Sequence, residues 1–163
     1  MIKYVKAALA SSVLVASVIG ANTAHAATAS ADARANILQQ VTVTSDGSDL
    51  NFGTIVSGAA ASTVAIDAAG SATCGSGIVC SGTTSAAGFD VTGTTGETVD
   101  VSTDTTVTLT GPTDTMTASL TPSTTSMVLS GSDAFTVGGT LNVGAAQDDG
   151  AYVGNFNVTV SYQ

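Results

Sequence analysis

The two cysteines are the residues whose spacing most directly implies chemistry. Cys74 and Cys80 are separated by G-S-G-I-V. In an exported protein, a close pair of this kind predicts a disulfide that closes a small loop at a strand-turn-strand corner. A zinc site needs about four ligands, and beyond residue 26 the chain offers no histidine and only these two thiols. We therefore expect a disulfide, and no metal or other cofactor.

The acidic residues are the other candidates for chemistry, because two carboxylates can run a glycosidase mechanism. All 12 lie beyond residue 26, and most stand in turn contexts, such as Asp46 and Asp49 near Gly47, or Asp148-Asp149 before Gly150. Aspartates bond their own backbone in turns, which explains these positions without catalysis. Beyond residue 26, a serine or cysteine nucleophile would have no histidine or lysine as its base. We expect no enzymatic activity.

The first 26 residues have the pattern of a signal peptide. Lys3 and Lys6 form a positive region, Ala7–Gly20 form an apolar run, and Ala24-His25-Ala26 is a small-residue cleavage site. The apolar run is shorter than the roughly 20 residues that a membrane-spanning helix needs. We expect cleavage after Ala26, with Ala24 and Ala26 as the recognised residues, and export without membrane insertion.

Loss of the leader would leave Arg34 as the only strong base, so that residues 27–163 carry one positive charge against 12 negative ones, a formal charge of −11. Nucleic-acid affinity depends on several contacts between basic side chains and phosphates, and an anionic lipid surface repels an acidic chain. We therefore expect neither nucleic acid nor an anionic membrane surface as a partner. A high like charge instead keeps a secreted protein soluble.

The rest of the chain predicts an all-β fold. Short segments rich in Thr and Val alternate apolar and polar residues at spacings of about eight to twelve residues, with Gly, Asp and Ser between them. No helical period persists for the ten or so residues that a helix needs. The pattern predicts an antiparallel β-sandwich whose core is built from Val, Leu, Ile and Phe. In the segment before the last loop, Phe135 and Val137 lead into Gly138-Gly139, and Leu141 and Val143 follow.

The clearest strand is the C-terminal segment, Gly150 to Gln163. Its even positions carry most of the large apolar residues and its odd positions carry polar ones such as Asn155, Asn157 and Thr159, which is the period of a strand with one buried face. We expect its outer side to pair with an upstream segment or with another molecule. The even residues that form the predicted buried face are Gly150, Tyr152, Gly154, Phe156, Val158, Val160 and Tyr162.

A second alternation spans Ala27 to Ile37, where every odd position is apolar and every even one is polar. Polar residues at a period of two would cover no single helical face, so the pattern favours an extended segment that docks on a sheet. A floppy, alanine-rich remnant of leader processing is the alternative. The apolar positions are Ala27, Ala29, Ala31, Ala33, Ala35 and Ile37.

The C-terminal segment resembles that of pilins of the chaperone-usher type, which carry a glycine fourteen residues from the end and a penultimate tyrosine; here these are Gly150 and Tyr162. L-N-F-G (Leu50–Gly53), V-G-G-T-L-N-V (Val137–Val143) and G-A-Y-V-G-N-F-N-V-T-V-S-Y (Gly150–Tyr162) resemble a secreted bacterial family catalogued as a domain of unknown function, akin to spore-coat protein U.

The resemblance implies an immunoglobulin-like antiparallel sandwich that lacks one strand and is completed by a donor strand. Residues 27–37 would be the donor extension and residues 38–163 the pilin domain, whose C-terminal strand forms one wall of the acceptor groove. The implied partners are copies of this chain or related pilins, a periplasmic chaperone and an outer-membrane usher. The implied location is a cell-surface fibre or the medium, reached through the periplasm.

The sequence therefore supports two functions from different classes. The first is a structural subunit of a pilus or fimbria assembled by donor-strand exchange. The second is a self-complemented secreted coat or binding domain of the spore-coat U type, in which residues 27–37 fold back beside their own C-terminal strand.

Overall fold

A computed structural model describes residues 26–163, so most of the predicted leader, including Ala24, lies outside the described residues. This part of the chain contains β-strands and no helix, which confirms the all-β prediction. Residues 26–163 therefore contain no helix that is long and apolar enough to span a bilayer. The strands are β1 Thr42–Ser45, β2 Thr54–Val56, β3 Ser62–Ile66, β4 Ala72–Cys74, β5 Val79–Ser81, β6 Ala87–Thr92, β7 Thr98–Thr103, β8 Thr106–Thr110, β9 Thr115–Pro122, β10 Ser126–Val128, β11 Asp133–Val143 and β12 Val158–Tyr162.

The larger sheet has seven strands and is built around β11, the longest strand. Along one edge β11 pairs antiparallel with β9, and along the other it pairs first with β6 and then with β3. Strands β1, β4 and β8 extend the sheet by pairing with β6, β3 and β9 respectively. Because side chains alternate across a strand, the odd residues of β11 from Phe135 onwards are buried in the core. These residues are Phe135, Val137, Gly139, Leu141 and Val143.

Gly138 and Gly139 lie inside β11 at the point where its neighbour changes from β6 to β3. A Cβ atom at Gly138 would collide with the carbonyl oxygen of Ile66, the last residue of β3, and one at Gly139 would lie 2.5 Å from the carbonyl oxygen of Ser119. The two glycines therefore do not interrupt the strand. They allow two neighbouring backbones to approach it closely.

The smaller sheet has the order β10-β7-β12 and packs against the larger one. Val99 and Val101 of β7 are buried together with Val137 and Leu141 of β11 in a single core. The two antiparallel sheets form a sandwich of the immunoglobulin-like class. The solvent-facing residues of both sheets are mostly threonines and serines, as the alternating sequence predicted.

The predicted disulfide between Cys74 and Cys80 is present, with Cα atoms 6.1 Å apart. The two strands that it joins do not pair with each other. Instead β4 pairs with β3 at the edge of the larger sheet, whereas β5 pairs with β2 in a separate two-stranded sheet. The disulfide therefore ties the small β2-β5 ribbon to the sandwich.

We predict that Gly138→Ala lowers the free energy of unfolding by about 1–3 kcal/mol, since the added methyl group overlaps backbone that has no rotamer to move. Gly144→Ala is a matched control, because the nearest atom to its added Cβ is the Oε1 of the flexible Gln147 side chain, at 2.7 Å. Urea unfolding of both variants measures the difference. Equal losses at the two sites would contradict the close approach at Gly138.

Candidate strand-binding site

The predicted alternation of the C-terminal segment is present in the structure. From Ala151 to Gln163, odd-numbered residues are exposed and even-numbered residues are half-buried. Regular pairing is limited to β12, but Val153 also forms an antiparallel bridge with Thr110 at the end of β8. The segment thus runs along β8 and then along β7. Its strand is interrupted between the two, where the Asn157 N–H donates to the carboxylate of Asp104.

Two glycines of the predicted buried face have separate roles. Gly154 lies where an added Cβ would be 2.9 Å from Cγ2 of Val107 and would collide with the carbonyl oxygen of Thr108, so it allows the segment to reach β8. Gly150 is exposed and stands outside the alternation. It has a φ of +148°, and a Cβ there would lie 2.6 Å from Cδ of Pro112, so this residue forms a turn before the segment begins.

One edge of the segment carries unpaired backbone groups. The carbonyl of Asn157 accepts from the Asp104 N–H at 3.1 Å, and the Gln163 N–H donates to the carbonyl of Thr98 at 3.2 Å, so odd residues direct their backbone towards β7. Even residues from Gly154 to Tyr162 direct theirs the other way, and no residue from 36 to 163 bonds them. An open edge of this kind is a template for an added strand.

The open edge faces β1 across a strip of half-buried apolar side chains, which we call the acceptor groove. Phe156, Val158 and Val160 belong to the side of the C-terminal segment, and Val41 and Val43 belong to the side of β1, which contacts β12; all five pack against the core but remain partly exposed. Phe89 lies at the base of the groove, with its ring 6.2 Å from that of Phe156 in an edge-to-face contact and 5.4 Å from the stacked ring of Phe135. Apolar walls with free backbone groups suit an extended chain with small side chains.

The groove is closed at its Tyr162 end. The Tyr162 hydroxyl donates to the carbonyl of Gln39 at 2.7 Å and accepts from the Thr94 N–H at 2.7 Å. The N–H of Gln39 also donates to the Thr94 hydroxyl, at 2.7 Å. The space beside the ring is full, because a Cβ at Gly93 would lie 2.5 Å from the Tyr162 hydroxyl. The chain that enters β1 is thus tied to the end of β12.

The opposite end of the groove is open. A cavity of about 700 Å³ lies between the segment that follows β1, including Leu50 and Phe52, and the start of the C-terminal segment at Tyr152. Its inner wall is made of apolar side chains of the core, among them Leu109 and Leu141. The Tyr152 ring lies against Gly111, where a Cβ would be 2.6 Å from the ring. This end has room for a large side chain.

Residues 26–37 belong to neither a helix nor a strand, and all of them are exposed. Ile37 exposes 89% of its surface, the most of the five large hydrophobic residues that are exposed in the described chain. Arg34 pairs with Asp32 at 2.9 Å, with both side chains in solvent.

Several carboxylates lie in turns, as the sequence suggested, whereas Asp90, Asp100 and Asp133 lie in strands. Asp46 accepts from the Ser48 N–H, Asp67 accepts from the N–H groups of Ala69 and Ser71, and Asp114 accepts from the next backbone N–H. Ser130 donates two hydrogen bonds to Asp133 and so lowers the pKa of that exposed carboxyl. Within residues 26–163, no three His, Cys, Asp or Glu side chains are grouped to hold a metal.

The comparison with protein families identifies the domain. A family model described as Domain of unknown function (DUF4402) matches residues 40–162. The chain belongs to this family. The DUF4402 match begins at residue 40 and ends at Tyr162, so it contains both walls of the acceptor groove and excludes residues 27–37. No curated protein matches the chain, and no solved structure does so.

Sequence reasoning missed two features of this DUF4402 domain. One is Gln39, whose bond to Tyr162 joins residues 123 positions apart and leaves no local pattern. The other is the cavity beside Tyr152, whose walls come from four separate parts of the chain. The alternation identified the apolar face of the groove, because side-chain parity is a local property.

We predict that Tyr162→Phe lowers the free energy of unfolding by about 1–3 kcal/mol, because it leaves the Thr94 N–H and the Gln39 carbonyl without this partner in a half-buried site. Thr159→Val is the control, since it removes a hydroxyl from the outer face of the same strand that makes no hydrogen bond in the described structure. Urea unfolding measures both. A Tyr162→Phe variant as stable as the control would show that the groove end is held by packing alone.

Proposed function

We propose that this protein is a structural subunit of a bacterial surface fibre, exported through the periplasm and joined head to tail by donor-strand exchange. Each subunit accepts residues 27–37 of the next in its acceptor groove. A periplasmic chaperone holds the groove before assembly, and an outer-membrane usher receives the subunit. These roles are the ones that the resemblance to chaperone-usher pilins implies for this chain.

The observation that carries this proposal is the open edge from Gly154 to Tyr162. Its N–H and C=O groups have no partner among residues 36–163, and the apolar side chains beside them are only half-buried. An added strand would bury both features, since its backbone would bond the unpaired N–H and C=O groups and its side chains would cover the half-buried apolar side chains. Main-chain bonds contribute roughly 0.5–1.5 kcal/mol each, and each buried alanine methyl adds about 0.8 kcal/mol.

The charge of the mature chain also bears on how copies associate. With a formal charge of −11 on residues 27–163, two copies repel one another over much of their surface. Association therefore needs a specific joint with many short-range bonds. A strand held by backbone hydrogen bonds is such a joint, because those bonds do not depend on the charge of either subunit.

We predict that a chain lacking residues 27–37 forms no polymer. The protein secreted from its own host is compared with the deletion variant on a denaturing gel, boiled and unboiled. The full chain gives a ladder that collapses to monomer only on boiling, because kinetically locked strands resist detergent. A single monomer band from the full chain under both conditions would contradict the fibre function and favour the self-complemented coat or binding domain.

We also predict that Ile37→Asp blocks polymer formation, because a carboxylate would have to enter an apolar site without a partner. Asn36→Asp adds the same charge one residue away, on the parity that faces solvent, and should leave the ladder intact. The unboiled ladder of each variant is the measurement. A ladder from Ile37→Asp equal to that from Asn36→Asp would show that Ile37 is not buried at the joint.

A further inference from the structure

We propose that Asp149 is a modification site, at which the side chain slowly cyclises onto the next backbone nitrogen and reopens as isoaspartate. The reaction is intramolecular and needs no enzyme, metal or oxidant. The chain contains two Asp-Gly pairs, Asp46-Gly47 and Asp149-Gly150, and no Asn-Gly pair. The structure holds the first pair in place and leaves the second free to react. This inference does not depend on the fibre function.

The reacting groups are the aspartate carboxyl and the backbone nitrogen that follows it. The nitrogen of Gly150 attacks the side-chain carboxyl carbon of Asp149, so that a C–N bond forms and the carboxyl C–O bond breaks with the loss of one water. Water then opens the resulting succinimide ring. Opening at the side-chain carbonyl restores aspartate, whereas opening at the main-chain carbonyl gives isoaspartate. Glycine hinders the attack least, because it has no Cβ beside its nitrogen.

The first pair, Asp46-Gly47, is held by hydrogen bonds to both reacting groups. The Asp46 carboxylate accepts from the Ser48 N–H at 2.7 Å, and the Gly47 N–H donates to the Ser45 hydroxyl at 3.1 Å. The Asp46 N–H also donates to the carbonyl of Gly88 at 3.1 Å, which fixes the backbone before the pair. To reach the Gly47 nitrogen, the carboxylate must first give up its bond to Ser48.

The second pair, Asp149-Gly150, has no such restraint. Neither the Asp149 carboxylate nor the Gly150 N–H forms a hydrogen bond with any residue from 36 to 163. The residue before it is fixed, since the Asp148 carboxylate accepts from the Thr113 hydroxyl at 2.7 Å and the Asp148 carbonyl accepts from the Tyr152 hydroxyl at 2.9 Å. The Asp149 carboxyl can therefore turn towards the Gly150 nitrogen without breaking a bond to this part of the chain.

Solvent access does not distinguish the two pairs. Asp46, Gly47, Asp149 and Gly150 are all exposed, so the water that opens the ring reaches both sites. Both glycines also have a positive φ, +95° at Gly47 and +148° at Gly150. The difference between the pairs is thus the hydrogen bonding of the reacting groups, and Asp46-Gly47 is a matched control within the same chain.

Isomerisation at Asp149 would lengthen a short loop. The hydrogen bond from the Tyr152 hydroxyl to the Asp148 carbonyl closes this loop, and the modified bond lies between the two residues. Isoaspartate adds one methylene to the main chain at that point. Residues 147–152 also line the cavity at the open end of the acceptor groove. The modification therefore alters this end of the groove in protein that has aged.

The experiment measures isoaspartate at both pairs. The secreted full chain is kept for several weeks at neutral pH, either folded in buffer or unfolded in guanidinium chloride. Chymotrypsin cleaves after leucine and tyrosine and so separates the two pairs, and electron-transfer fragmentation distinguishes isoaspartate from aspartate in each peptide. We expect isoaspartate to accumulate several-fold faster at residue 149 than at residue 46 in the folded protein, and at similar rates in the unfolded chain.

Asp149→Glu is the control variant, because it keeps the charge but its longer side chain does not form the succinimide ring. It should remove the signal at residue 149 and leave that at residue 46 unchanged. Equal rates at the two positions of the folded parent would overturn the inference, since the hydrogen bonds of Asp46 would then give no protection. Absence of isoaspartate at residue 149 of the folded parent would also overturn it. Neither result bears on the fibre function, which the boiled and unboiled ladders test separately.

Discussion

The structure depends on the requirement that backbone groups at a sheet edge find partners. In the sandwich this requirement is met strand by strand: β11 serves three neighbours, and β7 is paired on both sides. Within residues 36–163 it is not met along the even residues from Gly154 to Tyr162. Natural sheets usually protect such an edge with charge, proline or a covering loop. Residues 154–162 contain no charged residue and no proline, and their open edge borders an apolar groove, which is the property expected of a surface that another strand completes.

Much of the fold follows from side-chain parity, and parity can be read from the sequence. The strand positions around Phe135, Val137 and Leu141 and the inward face of the C-terminal segment were predicted, because alternation decides which residues meet the core. Pairing was harder to predict. At Gly138 the neighbour of β11 changes from β6 to β3, and this change depends on the path of strands that are distant in the sequence.

In the candidate site, too, the sequence predicts some features and not others. The walls of the groove follow from alternation, and the disulfide follows from the spacing of Cys74 and Cys80. The width of the groove, its closed end and its cavity depend on where β1 lies relative to β12, and no local pattern records that distance. Gly150 illustrates the point: its parity placed it on the buried face, but its conformation makes it part of the turn before the segment. Parity also predicts on which face of the strand Tyr152 lies, but it does not predict that a cavity lies beside the ring.

The attachment of Gln39 has a mechanical consequence for a fibre built in this way. Gln39 is fixed to its own domain through both its N–H and its carbonyl, and Leu38 alone separates it from Ile37. Two extended residues span at most about 7 Å, so successive domains would nearly touch and could swing little about the joint. Tension would then run along the strands, where many cross-strand bonds share the load instead of breaking one after another. Such a fibre would be stiff and would transmit a pull on one end with little stretching.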